Sequence, residues 1–211
     1  MKNGEVFQAD SKIVNECYDG YPNYLVERDV VAETVDRQCV LYFSSHNIYY
    51  LNNEETFIRQ IKERSFFEWY QTRVAGVAKH IFLRDIKKQW YLTGINHEIN
   101  NPERLLAFLE EETRGYRLIT VGRSAGGYAA VVCGYLLSAE KVCVFNGQFD
   151  LTNRLRTSRE GVDPILFREK LNPKINQFYN IKKFIKLPTK SITSIRVSAG
   201  KTACSLKASL S

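Results

Sequence analysis

The stretch of sequence that decides the fold is Leu118-Ile119-Thr120-Val121-Gly122-Arg123-Ser124-Ala125-Gly126-Gly127-Tyr128-Ala129-Ala130. Its apolar start is typical of a strand, and the small residues after Gly127 favour a helix. The pattern G-x-S-x-G between them predicts a tight turn that lifts the serine hydroxyl clear of the sheet. Gly122 and Gly126 lack the Cβ atoms that would clash in such a turn, and Gly127 lets the helix begin close to the strand. We therefore predict that Ser124 is a nucleophile.

The same turn has one structural alternative. A helix N-terminus that follows glycines also binds phosphate groups. The stretch spells neither G-x-G-x-x-G nor G-x-x-x-x-G-K-[ST], which are the common phosphate-binding patterns. A nucleophilic serine is the favoured interpretation, and a phosphate-binding turn stays open.

Length and composition predict one globular domain with an appendage. The chain has 211 residues, of which 44% are hydrophobic, and the start of the chain has no apolar stretch that would serve as a signal peptide. Five scattered cysteines without metal or disulfide spacing predict reduced thiols and a cytoplasmic protein. We expect no cofactor and no bound metal.

The positive charge is concentrated in the last third of the chain. The net charge is +7, but residues 151–211 hold 13 Lys/Arg against 3 Asp/Glu. Such a basic region could contact nucleic acid, anionic lipid or an acidic glycan. A solvated tail is the simpler interpretation, so we expect no specific nucleic-acid partner. No apolar run approaches the roughly 18 residues of a membrane span, so we also expect no membrane span.

Strands and helices are predicted to alternate along residues 39–147. Asn52 or Asn53 should cap a helix that continues to about Tyr70, and Val30–Val35 could be an edge strand. The other predicted elements are strands Cys39–Phe43, His80–Leu83, Leu118–Val121 and Lys141–Phe145, and helices that begin at Pro102 and at about Gly127. This alternation predicts an α/β fold, a mainly parallel sheet with helices on both faces. Ser124 then lies at the carboxyl end of a strand, where ligands of such sheets bind.

Over roughly residues 39–147, this arrangement resembles the part of the α/β-hydrolase fold that runs from the third to the sixth strand of that fold. The resemblance implies an oxyanion hole made by the N–H of Ala125 and by one N–H from the loop Ser45-His46-Asn47. The segments Arg84–Tyr91, Ser124–Ala130 and Phe145–Asp150 also resemble hydrolase-like proteins of bacterial surface-polysaccharide gene clusters. That second resemblance extends to about Lys186 and implies a biological setting without a reaction.

A serine nucleophile needs a base, and the sequence leaves the base uncertain. Asp150 follows the predicted strand Lys141–Phe145, which corresponds to the sixth strand of the α/β-hydrolase fold, and is the candidate acid. The alternative is that Asp150 caps a helix or stabilises a turn. The three histidines all precede Ser124, whereas the resemblance implies a histidine near the end of the sheet. His80 is predicted to be a structural residue, and His97 is predicted to be a surface loop residue. His46 is the candidate that could donate to the oxyanion or act as base.

The last residues differ from the rest of the chain. Residues 187–211 contain neither an acid nor an aromatic residue and are rich in Ser and Lys. We divide the chain into a hydrolase-like domain, residues 1–186, and a basic tail, residues 187–211. The tail is expected to be a flexible or frameshifted segment, which leaves the sheet incomplete at its C-terminal edge.

Three functions remain in view at this stage. The first is serine-nucleophile acyl chemistry, by an esterase, deacetylase or acyltransferase, on a glycan or glycan precursor of surface-polysaccharide biosynthesis. The second is a catalytically degenerate, hydrolase-like module that binds polysaccharide-assembly proteins. The third is a nucleotide-sugar-dependent transferase, for which the sequence has no nucleotide or metal signature.

Overall fold

The structure is a computed structural model that describes residues 6–147, 149–161, 163–181 and 192–195, the last range by its backbone alone. Its strands are β1 (Tyr24–Arg28), β2 (Gln38–Phe43), β3 (Lys79–Leu83), β4 (Arg117–Arg123), β5 (Lys141–Phe145) and β6 (Ile192–Ile195). Its α-helices are α1 (Phe7–Asp10), α2 (Lys12–Gly20), α3 (Val30–Val35), α4 (Glu54–Phe57), α5 (Pro102–Thr113), α6 (Ala125–Leu136), α7 (Thr152–Thr157), α8 (Pro164–Glu169) and α9 (Pro173–Asn176). Short 3-10 helices span His46–Ile48 and Tyr70–Thr72, and a π-helical segment spans Ile58–Glu63.

The six strands form one sheet in the order β1-β3-β2-β4-β5-β6. β1 is antiparallel to β3, and every other neighbouring pair is parallel. Phe43 pairs with Gly122, and Arg123 pairs with Phe145, so β2, β4 and β5 end side by side. The loops that follow these three strands therefore meet at one edge of the sheet, as expected for parallel strands.

Both faces of the sheet are covered, which confirms the predicted α/β class. On one face, Leu41 and Ile81 pack with Leu105 and Leu109 of α5 and with the buried side of α6. On the other face, Val40, Tyr42 and Val121 pack with Phe67, on the segment that leads into the 3-10 helix Tyr70–Thr72. The central helix α6 is buried along most of its length because it lies directly against β4 and β5.

The prediction of an edge strand at Val30–Val35 is wrong, since this segment is helix α3. The carboxylate of Asp29 accepts hydrogen bonds from the N–H groups of Val31 and Ala32, 2.9 and 3.0 Å away, and so caps the helix. The edge strand is β1, one segment earlier, which pairs with β3. The local cap has overridden the strand preference of the valines.

Two other boundaries differ from the prediction. Asn53 caps α4 as expected, because its Oδ1 accepts from Thr56 N at 3.0 Å. The helical path ends at Glu63 rather than near Tyr70, and Ser65 shortly after it has a positive φ of 45°. Within the predicted tail, β6 continues the sheet parallel to β5. Residues 182–191 and 196–211, which carry the rest of that prediction, lie outside the described residues.

Candidate active site at the β4–α6 turn

Ser124 occupies the turn between β4 and α6, where the motif places it. Its φ of 51° and ψ of −118° lie outside the regions that side-chain-bearing residues favour. The turn is held by two backbone hydrogen bonds, from Ser124 N to Phe145 O at 3.0 Å and from Tyr128 N to Ser124 O at 3.1 Å. Ser124 is half-buried, and its hydroxyl has no hydrogen-bond partner within the described residues. The backbone thus holds a strained conformation that leaves the hydroxyl available, and strain of this kind clusters at functional sites.

The three glycines of the motif permit close packing around this turn. A Cβ at Gly122 would lie 2.1 Å from the carbonyl oxygen of Gly126, and one at Gly126 would lie 2.2 Å from that of Phe43. A Cβ at Gly127 would lie 2.8 Å from a methyl group of Val144. Helix α6 can therefore begin directly against β2, β4 and β5 only because these positions carry no side chain.

The loop after β2 carries the residues predicted to supply the second half of the oxyanion hole. The N–H of Ser45 donates to Oε2 of Glu68 at 2.5 Å, and the Ser45 hydroxyl donates to Oε1 at 3.1 Å. The N–H of Asn47 donates to Ser45 Oγ at 3.2 Å. In the described part of the chain, the backbone N–H groups of His46 and Ala125 have no acceptor. Among the predicted oxyanion donors, these two backbone N–H groups are therefore the ones without an acceptor in the described residues.

Glu68 is a residue of this site that the sequence analysis missed. It lies 23 positions after Ser45 and belongs to no motif, but it is the one acid within the aromatic run Phe66–Tyr70. Its side chain is only 16% exposed, and Oε1 lies 4.0 Å from Nη1 of Arg123, the residue before Ser124. A carboxylate in so apolar a segment was the available signal, because a buried acid needs partners.

His46 begins a 3-10 helix beside the turn, and its ring lies edge-on against Trp90 with centroids 4.7 Å apart. Burial lowers the pKa of His46 to about 3, helped by the positive charges of Lys88 and Arg154. Its Nε2 is buried without a partner, and no hydrogen bond joins the ring to Ser124 within the described residues. The imidazole is neutral at pH 7 and too weakly basic to be an efficient general base, since that role favours a pKa near the working pH.

Asp150 lies on the loop after β5, where the sequence analysis expects it. Its Oδ1 accepts hydrogen bonds from the N–H of Thr152, at 2.8 Å, and from the Thr152 hydroxyl. The backbone of Asp150 also forms an isolated β-bridge with Asn180. The side chain is exposed at the start of α7, so the structural role considered as the alternative is present. Its role as catalytic acid remains a prediction.

The loop after β3 contacts the loop that carries His46. The buried carboxylate of Asp85 accepts from the N–H groups of Lys87, Gln89 and Tyr91 at 3.1, 2.6 and 2.9 Å. Burial raises the pKa of Asp85 to about 6, and these backbone hydrogen bonds oppose the rise. The hydroxyl of Tyr91 donates to Ser44 O at 2.9 Å, which fixes the end of β2.

Lys88, in the same loop, fixes the chain beyond His46. Its ammonium donates to Tyr49 O at 2.6 Å and to Oδ1 of Asn52 at 2.7 Å. Burial lowers the pKa of Lys88 to about 7. The φ angles of Lys88, Trp90 and Tyr91 are all positive, between 54° and 61°, so this loop is tightly constrained without any glycine.

The remaining histidines lie where the sequence analysis expects them. Nδ1 of His80 lies 3.3 Å from the Tyr42 hydroxyl, and the two rings stack in the core. His97 is exposed in its loop. In the described residues, no three His, Cys, Asp or Glu side chains are grouped to hold a metal ion. Nor is any helix of the described residues long and apolar enough to span a membrane.

No protein-family model and no curated protein matches the chain. Among solved structures, it is similar to the glycosylation-associated protein complex Gap123 of Streptococcus agalactiae, with a TM-score of 0.48, 16% identity and coverage of 83% of this chain and 36% of the other. A capsule O-acetyltransferase of Neisseria meningitidis serogroup A gives a TM-score of 0.45 at 11% identity, with 85% of each chain covered. S-formylglutathione hydrolase of Staphylococcus aureus gives a TM-score of 0.44 at 10% identity, with 76% of this chain and 65% of the other covered. The chain thus spans about a third of the length of the first of these, and likenesses of this size assign no activity.

Proposed function

We propose that this chain performs serine-nucleophile acyl chemistry, as an esterase, deacetylase or acyltransferase. The observation that carries the proposal is the conformation of Ser124, at φ 51° and ψ −118° between β4 and α6. A serine in a strained strand-to-helix turn, at the carboxyl end of a central parallel strand, has the placement that such a nucleophile requires. The substrate class, a glycan or glycan precursor of bacterial surface-polysaccharide biosynthesis, is supported by the sequence resemblance described above.

In the proposed reaction, Ser124 Oγ attacks the carbonyl carbon of an acyl ester or amide. The hydroxyl proton passes to a base, and negative charge develops on the carbonyl oxygen. The N–H groups of Ala125 and His46 donate to that oxygen. The bond to the leaving alcohol or amine then breaks as that group takes up a proton, and an acyl ester of Ser124 remains. Water completes a hydrolysis, whereas a sugar hydroxyl completes a transfer.

The base is the weak element of this site. His46 is too weakly basic for efficient proton transfer, with its pKa at about 3. Its backbone N–H has no acceptor in the described part of the chain, so His46 fits the oxyanion role better than the base role. Asp150 remains the proposed acid, but the hydrogen bonds of His46 do not reach it in the described part of the chain. We therefore propose slow turnover with simple esters.

A non-catalytic, hydrolase-like module is the second candidate, and Glu68 favours it. Its carboxylate takes the N–H and the hydroxyl of Ser45, a residue of the loop from which the resemblance implies one oxyanion-hole N–H. A negative charge beside the site also opposes the build-up of an oxyanion. Under this proposal the chain binds polysaccharide-assembly proteins without turning over an ester.

A fluorophosphonate probe separates the two candidates, because only an activated serine reacts with it. We expect the wild-type chain to be labelled once and Ser124→Ala to lose the label. Ser138→Ala is a matched control, since Ser138 also has a positive φ, 54°, and lies at the other end of α6. His46→Ala should slow labelling by roughly tenfold or less, because its backbone N–H remains. Labelling that survives Ser124→Ala would refute the first proposal, and no labelling of the wild type would favour the second.

A further inference from the structure

A wide groove opens on the β1 side of the candidate site. It has a volume of about 1090 Å³ and runs from the segment Tyr21–Leu25, past Asn47–Tyr50, to the segment between Gln60 and Thr72. Glu68 lines it and also holds Ser45, so one end of the groove adjoins the candidate active site. The volume is slightly above the usual range for small-molecule sites, roughly 300–1,000 Å³.

The floor of this groove contains a buried arginine without an acidic partner. Arg84 is only 3% exposed, and its guanidinium lies 4.7 Å from the ring centre of Phe67. Nε donates to Oδ1 of Asn23 at 3.1 Å, and Nη1 donates to Phe66 O at 3.2 Å. Within the described residues, no carboxylate lies within ion-pairing distance of Arg84.

One nitrogen of this guanidinium remains available to a ligand. Nη2 of Arg84 has no hydrogen-bond partner among the described residues, and it is not fully buried. It therefore reaches the open space of the groove that Arg84 lines. A buried charge without a counter-ion is costly, and it is stabilised when an anion supplies the missing partner.

The other charges of the groove also favour an anion. Lys62 and Arg64 line it and are exposed. The one carboxylate among the described lining residues belongs to Glu68, which is engaged by Ser45 and lies beside Arg123. The groove therefore presents three cations against one already partnered acid.

The uncharged lining indicates a ring-shaped, hydroxylated ligand. Tyr21 and Tyr50 line the groove with exposed fractions of 37% and 77%. Exposed tyrosines offer flat faces on which a sugar ring can stack and hydroxyls that can form hydrogen bonds. The side-chain amides of Gln60 and Gln71 add donors and acceptors suited to sugar hydroxyls.

We propose that this groove binds an anionic sugar, a ring that carries a carboxylate or a phosphate, with Nη2 of Arg84 as the central contact to the anionic group. Lys62 and Arg64 attract the anion at the rim, and the tyrosines hold the ring. The site goes beyond the acyl chemistry at Ser124 and does not depend on it. Binding should therefore be unchanged in Ser124→Ala.

Calorimetric titration of the full chain with glucuronic acid, glucose 1-phosphate and glucose tests this site. We expect at least one of the two anionic sugars to bind roughly tenfold or more tightly than neutral glucose, because only an anion satisfies Arg84. The comparison between the two anions identifies the group that is recognised. Equal binding of all three sugars, or no binding of either anion at millimolar concentration, would overturn the proposal.

Substitutions place the binding in the groove. Arg84→Met keeps an apolar stem against Phe67 and should weaken binding of the preferred anion by roughly tenfold or more. Lys62→Gln with Arg64→Gln changes only exposed side chains, so it remains decisive if Arg84→Met does not fold. This double variant should weaken binding by a few fold and reduce its dependence on salt. Arg59→Gln, an exposed cation of the same segment outside the groove, should leave binding unchanged. Equal affinity of the double variant and Arg59→Gln would contradict the site.

Discussion

Replacing Gly126 by alanine tests the close approach of α6 to the sheet. The new Cβ would lie 2.2 Å from the carbonyl oxygen of Phe43 and 2.8 Å from that of Ser44. Both atoms belong to the backbone at the end of β2, so no side chain can rotate away. An ordinary contact needs about 3.4 Å, so α6 and β2 must separate by roughly 1 Å, in a core that tolerates little overpacking.

We expect Gly126→Ala to lower the free energy of unfolding by about 3 kcal/mol, the upper end of the usual cost of overpacking. For a chain of this size that corresponds to a fall in Tm of roughly 6–12 °C. Fluorophosphonate labelling of Ser124 should fall as well, because the same displacement moves Ala125 away from the loop after β2. Thermal denaturation and labelling of one preparation measure both effects.

Gly20→Ala is the matched control for this substitution. Nothing lies within 4 Å of a Cβ at Gly20, and the residue belongs to helix α2. Alanine should therefore leave stability unchanged or raise it by up to about 1 kcal/mol, through the lower entropy of the unfolded chain. A Tm for Gly126→Ala that matches the Tm of Gly20→Ala would refute the packing described for the Ser124 turn.

Three further predictions follow from individual contacts. Between pH 6.5 and 3 the folded state binds fewer protons at His46 than the unfolded state, so the free energy of unfolding should be about 3 kcal/mol lower at pH 4 than at pH 7. Urea denaturation at the two pH values should show this loss for the wild type but not for His46→Gln. An equal loss in the variant would contradict the low pKa of His46. Glu68→Ala removes a negative charge beside the site and frees the N–H of Ser45, so it should speed labelling of Ser124 by about tenfold or more. Glu63→Ala, at an exposed acid of the same segment, should not change the rate, and equal rates for the two variants would argue against an inhibitory role of Glu68. Asp29→Ala removes the cap of α3 and should cost about 1 kcal/mol in thermal denaturation, while no loss would speak against the cap.

The sequence predicted the central elements well because their signals are local. The apolar run before Gly122 and the small residues after it describe β4 and α6, and Asn101 before Pro102 marks the start of α5. Each of these features is decided within one turn or one strand, so a single sequence contains the information.

The remainder depends on contacts between distant residues. Nothing in the sequence near Ser45 indicates that Glu68 accepts a hydrogen bond from the Ser45 N–H, because the two residues are 23 positions apart. The same holds for Arg84, whose donors meet Asn23 and Phe66 from other segments. At Val30–Val35 a local feature was underestimated instead, since the cap by Asp29 outweighed the strand preference of valine.

The contact between Glu68 and Ser45 has a consequence for the search for ligands of this site. A carboxylate already bound to the chain competes with every incoming anion, and its effective concentration is that of an intramolecular group. If the contact is open for about 1% of the time, a ligand that needs the N–H of Ser45 binds about a hundredfold more weakly than its contacts would allow. A screen of the wild-type chain would then miss compounds that Glu68→Ala binds, so the two chains should be screened together.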